Sequence, residues 1–132
     1  MGECIMCNYD LYLAGFGFSD KYLGSPSLSS FVIHRKGEIW RRKTGEKYQE
    51  NIFKYRVSVS YEAGFGPAID EIITLLNKDV FLSHIVASCK YVELQVKIET
   101  DDDLKIPHMH FTDRQMYFLG LSGIDLEVNI GY

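Results

Sequence analysis

Ile124-Asp125-Leu126-Glu127-Val128-Asn129-Ile130 alternates aliphatic and polar side chains without a break. A period of two sends Ile124, Leu126, Val128 and Ile130 to one face of an extended chain and Asp125, Glu127 and Asn129 to the other. A strand of this kind covers a core on one side and meets water on the other. The same beat recurs over residues 53–62 and over residues 90–99, where Glu93, Gln95, Lys97 and Glu99 form the polar face. Residues 9–18 behave differently: they are apolar on both faces, which predicts a central place in the sheet. Gly15 and Gly17 within that run predict a bulge or the close approach of another backbone.

Between the strands the period changes. Ile69, Ile72, Ile73 and Leu76 fall at i, i+3, i+4 and i+7, one stripe of a helix, with Pro67 suited to its first turn. Asp70 and Glu71 lie towards the positive end of that helix. Asn77-Lys78-Asp79 breaks the pattern, and residues 80–87 predict a second short helix. Thr112-Asp113-Arg114-Gln115 is a capping box, and Gly123 supplies the stop before the last strand. Ser25-Pro26-Ser27 marks a turn or the entry to a short helix. Residues 31–34 and 38–42 predict a hairpin around Arg35-Lys36-Gly37, and residues 43–51 a polar loop.

Strands with one wet face need helices over the other. The predicted fold is therefore α+β: a two-layer sandwich with a mostly antiparallel sheet of four or five strands and two or three helices on one face. A chain of 132 residues makes this a single domain over 1–132, long enough to bury about two-thirds of its unfolded surface. No apolar run of about eighteen residues is present to span a bilayer. The first eighteen residues carry Glu3 and Asp10 but no basic residue, and Met6 breaks the myristoylation pattern, so the expected location is cytoplasmic.

The three cysteines are too few for a disulfide framework. Cys4-x-x-Cys7 has the spacing of a redox pair or half a zinc site, but at a chain end it reads first as terminal thiols. His108-Met109-His110 places two imidazoles on one side of an extended segment, where they lack the third ligand that zinc requires. Ser58 and Ser60 sit in no nucleophile elbow. Gly15-Phe16-Gly17 and Gly64-Phe65-Gly66 lack the remaining elements of a phosphate loop. The expectation is a protein without catalytic residues, cofactor or metal.

Charge is the stronger signal. Residues 34–56 hold eight Lys or Arg against three Glu, whereas residues 62–132 hold five basic and twelve acidic residues. The basic segment carries Arg41, Arg42 and Lys43 with Trp40, Tyr48 and Tyr55 interleaved, a pattern that also suits phosphates and stacked bases. On the acidic side, Glu93, Glu99, Asp125 and Glu127 point outward from two strands, and Asp101, Asp102 and Asp103 extend the first of them. If those strands are neighbours, the sheet displays a wide acidic area, which cross-strand pairing with Lys54 and Arg56 would partly neutralise.

Taken together, the strand Leu11-Tyr12-Leu13-Ala14-Gly15-Phe16, the Gly37 hairpin, the helix at 69–76 and the ending Phe111-Thr112-Asp113-Arg114-Gln115 through Leu119-Gly120 resemble the family called domain of unknown function 4279. The resemblance covers most of residues 11–131 and rests on short, largely structural motifs. It implies a small bacterial cytosolic domain, and family members of this size include immunity-type proteins beside secreted toxins. It carries no catalytic residues.

The sequence thus leads to a non-enzymatic protein-binding domain, an immunity protein that neutralises a toxin. The expected contact residues are Glu93, Glu99, Asp101, Asp102, Asp103, Asp125 and Glu127, with Trp40 as an aromatic anchor. The alternative is a nucleic-acid-binding or regulatory module that uses Arg41, Arg42 and Lys43.

Overall fold

Seven strands, three α-helices and two short 3-10 turns make up the regular structure of the described residues. The computed structural model describes residues 7–100 and 106–131. In chain order they form β1 (Asn8–Phe16), β2 (Val32–His34), β3 (Ile39–Arg41), β4 (Glu46–Lys47) and β5 (Ile52–Ser58). Helices α1 (Gly66–Lys78) and α2 (Val80–Ser88) come next, then β6 (Tyr91–Glu99), α3 (Asp113–Leu121) and β7 (Ile124–Gly131). The main sheet has five strands in the order β2-β5-β1-β6-β7, and β3 and β4 make a separate two-stranded ribbon. β1 pairs antiparallel with β5 and β6, and β2 antiparallel with β5, while β7 runs parallel to β6. A parallel neighbour needs a crossover, and α3 lies in it. The α+β fold expected from the alternating runs is the fold observed.

The dry face of the sheet carries Leu11 and Leu13 of β1, Phe53 of β5, and Val92, Leu94, Val96 and Ile98 of β6. Against it pack Ala68, Ile69, Ile72 and Leu76 of α1, Leu82, Ile85 and Val86 of α2, and Leu119 of α3. β1 is central, as its two apolar faces predict. Gly15 serves a side chain rather than a backbone: a Cβ there would lie 2.2 Å from the ring of its cross-strand partner Phe53. That ring also meets Phe18 and Phe31, at centroid distances of 5.8 and 5.4 Å.

Two polar residues fix the helical layer. The amide of Asp79 closes α1 on the Leu75 carbonyl, and its carboxylate accepts from the Leu82 amide at 2.9 Å to open α2. It also accepts from the Ser27 hydroxyl, tying in the 3-10 turn Pro26–Leu28. The capping box of α3 is complete, with the Gln115 amide donating to Thr112 Oγ1 at 3.1 Å and the Thr112 amide to Gln115 Oε1 at 2.9 Å. Buried Gln115 then donates through Nε2 to the Gly66 carbonyl and to Asp70 Oδ1, which anchors α3 to the start of α1.

Several expectations need correction. β2 does not pair with β3; it joins β5, and the hairpin is β3 with β4. Residues 43–51 are thus not an unstructured loop, since they hold β4 and end in buried Asn51. That side chain accepts from the Lys36 amide and donates to the Phe18 carbonyl. The strand expected over 53–62 ends at Ser58, because Ser60 accepts from the Ala63 amide and Gly64, at φ +72°, turns the chain into α1. β7 departs furthest from expectation. Ile124 is buried next to the exit of α3, yet Leu126, Val128 and Ile130 are 37%, 44% and 42% exposed. The cover over the dry face stops before the outer strand does.

Candidate partner-binding face

The register sets out the uncovered face of the sheet in rows. One row is Lys54, Ala14, Glu93 and Asp125, and the next is Arg56, Tyr12, Gln95 and Glu127. Beyond these, Asp10 aligns with Lys97 and Asn129, and Asn8 with Glu99 and Gly131. At the opposite end Phe16 faces Tyr91, their rings stacked at 4.5 Å. Side chains at i and i+2 share a face, so period-two polarity has become a surface with a basic side on β5 and an acidic side on β6 and β7.

The expected acidic neighbours are brought together. Glu93 is the register partner of Asp125, and Glu127 that of Gln95. Gln95 donates from Nε2 to Glu93 Oε2 at 2.9 Å. A hydrogen bond with Glu93, and then the repulsion of its charge, raise the Glu127 carboxyl above its ordinary value. Among the described residues the ion pairs are Arg56 with Asp10, Lys90 with Glu50 and Lys97 with Glu99. None of them engages Glu93, Asp125 or Glu127. The neutralisation expected from Lys54 and Arg56 does not reach this cluster. Arg56 Nε is held 2.8 Å from the largely buried Asp10 carboxylate, whose hydrogen bond and charge raise the guanidinium further. Lys54 lies over the Tyr12 ring, 6.0 Å from its centroid. A hollow of about 220 Å³ on this face is bordered by Lys54, Gln95, Lys97, Glu127 and Asn129.

Glu99 shares the face but is paired with Lys97 at 3.5 Å, so it adds less net negative charge than Glu93 or Glu127. Asp101, Asp102 and Asp103 lie outside the described residues. Trp40 is not part of this face. It sits on β3, in the ribbon that leaves the sheet between β2 and β5, and β7 is at the opposite edge. Trp40 is 47% exposed with the Arg41 guanidinium 4.7 Å over its ring. Exposed Tyr91, beside Glu93 along β6, is the aromatic that sequence reasoning passed over. Its position at i−2 from Glu93 was the available signal. Burial, then Glu50, Glu93 and Glu127, raise its phenol.

His108 and His110 are exposed, with rings stacked at 5.8 Å, and the His108 carbonyl accepts from the Phe65 amide. This contact explains Gly64, where a Cβ would come within 2.7 Å of that carbonyl oxygen. No three His, Cys, Asp or Glu converge as metal ligands among the described residues. Burial pushes the Cys89 thiol up to about 12, far from a reactive thiolate. Cys7 is disulfide-bonded, which corrects its reading as a terminal thiol. Its sulfur lies 3.3 Å from the Thr100 hydroxyl. No helix among the described residues is long and apolar enough to cross a membrane.

Compared with known proteins, the chain matches no protein-family model, no curated protein and no solved structure.

Proposed function

We propose that this chain is a non-enzymatic protein-binding domain whose acidic side, on β6 and β7, docks a basic protein partner. The observation that carries the reading is the Glu93–Asp125–Glu127 cluster. Three carboxylates share one open face with no cation paired to them among the described residues, and one is forced to hold its proton more tightly. Like charges gathered on a rigid sheet disfavour the free protein, and a cation from outside relieves that repulsion. The long-range field of such a face steers a basic partner into encounter, and occupation of the partner's surface then blocks it.

The most specific form of the proposal is an immunity protein that neutralises a bacterial toxin in the cytoplasm. The resemblance to domain of unknown function 4279 supports it, as some members of that family stand beside secreted toxins. The test is co-purification with the product of the neighbouring gene, together with rescue of a host expressing that product. Capture and rescue are expected, both lost in the double variant E93K/E127K. Absence of a complex and of rescue would overturn the reading.

A second reading is favoured by the ribbon, where exposed Trp40 lies under Arg41 and is followed by Arg42 and Lys43. It predicts salt-dependent retardation of single-stranded RNA or DNA on a gel. No retardation at low salt would remove it.

A further inference from the structure

We infer that β7 is an acceptor edge for strand addition, and that its occupant is an extended segment of a partner protein alternating Lys or Arg with aliphatic residues. The inference deepens the binding reading above and rests on it for the source of the partner.

β7 ends the strand order, and among the described residues nothing pairs with its outer side. The Thr100 amide donates to the Gly131 carbonyl. Alternation of peptide directions along a strand therefore turns the N–H and C=O groups of Leu126, Val128 and Ile130 away from β6, towards the open edge. Protein edges are usually blunted by shortness, lysine, proline or a bulge. β2, at the other edge, is three residues long. β7 runs for eight residues in unbroken register with β6, and it contains neither proline nor a basic residue. Its dry-side residues Leu126, Val128 and Ile130 are partly exposed, and its wet-side residues are Asp125, Glu127 and Asn129.

These features define the chemistry of the missing strand. Backbone groups facing outward call for an extended chain, the recognition mode in which main-chain hydrogen bonds give affinity and alternate side chains give specificity. On the dry side, the exposed aliphatic row calls for Val, Ile or Leu. On the wet side, Asp125 and Glu127 with Glu93 behind them call for Lys or Arg. A second copy of this chain fits poorly, because it would add another acidic cluster to the same continuous face. Residues 1–6 of the chain also fit poorly, since they carry Glu3 and no Lys or Arg.

The test uses the whole protein and synthetic peptides the length of β7. One alternates Lys with Val and Ile; a second carries Glu in place of Lys; a third has N-methyl groups on alternate amides of the first. The Lys peptide is expected to bind roughly tenfold or more tightly than either control. It is also expected to slow hydrogen exchange at the amides of Leu126, Val128 and Ile130. Val128→Pro removes one outward N–H without breaking the β6 ladder and is expected to abolish the preference for the unmethylated peptide with little change in melting temperature. If that variant does not fold, Leu126→Lys tests the aliphatic row instead. It keeps the outward N–H but places a charge among the exposed apolar side chains. It should therefore weaken binding of the Lys peptide, and unchanged binding would overturn the inference. Equal binding of the methylated and unmethylated peptides, or a concentration-dependent dimer of the protein abolished by Val128→Pro, would overturn the inference. With the neighbouring gene product as ligand, loss in E127K but not in V128P also overturns it while leaving the binding reading intact. Peptide binding to β7 without capture of that product has the opposite meaning.

Discussion

Two single residues show how closely the sheet's two faces are specified. Gly15 exists to admit Phe53, so Gly15→Ala drives a methyl into a packed aromatic ring. Overpacking of this kind costs about 1–3 kcal/mol, and denaturant unfolding should show that loss with the slope unchanged. Glu127 carries the cost of the acidic cluster. Its folded value is raised, so between the unfolded and folded values the native state binds the extra proton. Stability therefore rises as pH falls through the folded value, and the repulsion is fully present above it. Glu127→Gln should melt at a higher temperature than the parent protein at neutral pH, and the difference should vanish below the carboxylate range. A parent that gains no relative stability on acidification would contradict the coupling with Glu93. Neither residue's role is written in its immediate neighbours in sequence. Gly15 is read correctly only once Phe53 is known to lie opposite, and Glu127 only once β6 is known to lie beside β7.

At the scale of elements, local chemistry was the more legible. The 3.6-residue stripe at Ile69, Ile72 and Leu76, the capping box at Thr112 and Gln115 and the alternation over 90–99 all describe short-range geometry, and each predicted its element. Pairing is a long-range property, and there the sequence was ambiguous. Adjacent runs at 31–34 and 38–42 suggest a hairpin, yet β2 gains more by joining the edge of a five-stranded sheet, where Ile33 reaches the core. The links between elements were equally hidden. Asp79 reads as a breaker, but it ends one helix, begins the next and holds the turn at Ser27. Asp79→Ala should cost about 1 kcal/mol through loss of the cap, with helical circular dichroism falling before the sheet signal on heating. Retention of full stability would contradict the shared-cap account.

For the whole molecule, the separation of charge along the sequence becomes a separation in space. The basic strand β5 and the ribbon lie towards one side of the sheet, and β6 and β7 present carboxylates at the other. The acidic half of the candidate site was legible because alternation fixes which face a side chain takes, and it needed only the parallel pairing of β6 with β7 to bring Glu93, Asp125 and Glu127 together. The placement of Trp40 was not legible, since a ribbon standing apart from the main sheet leaves no periodic trace. If the acidic side is the docking surface, affinity for a basic partner should fall steeply as salt rises, mostly through slower association. The most direct test is amide chemical-shift mapping of the isotopically labelled protein against the neighbouring gene product. The account predicts perturbations centred on Glu93, Asp125 and Glu127 and spreading along β7, and perturbations confined to Trp40, Arg41, Arg42 and Lys43 would contradict it.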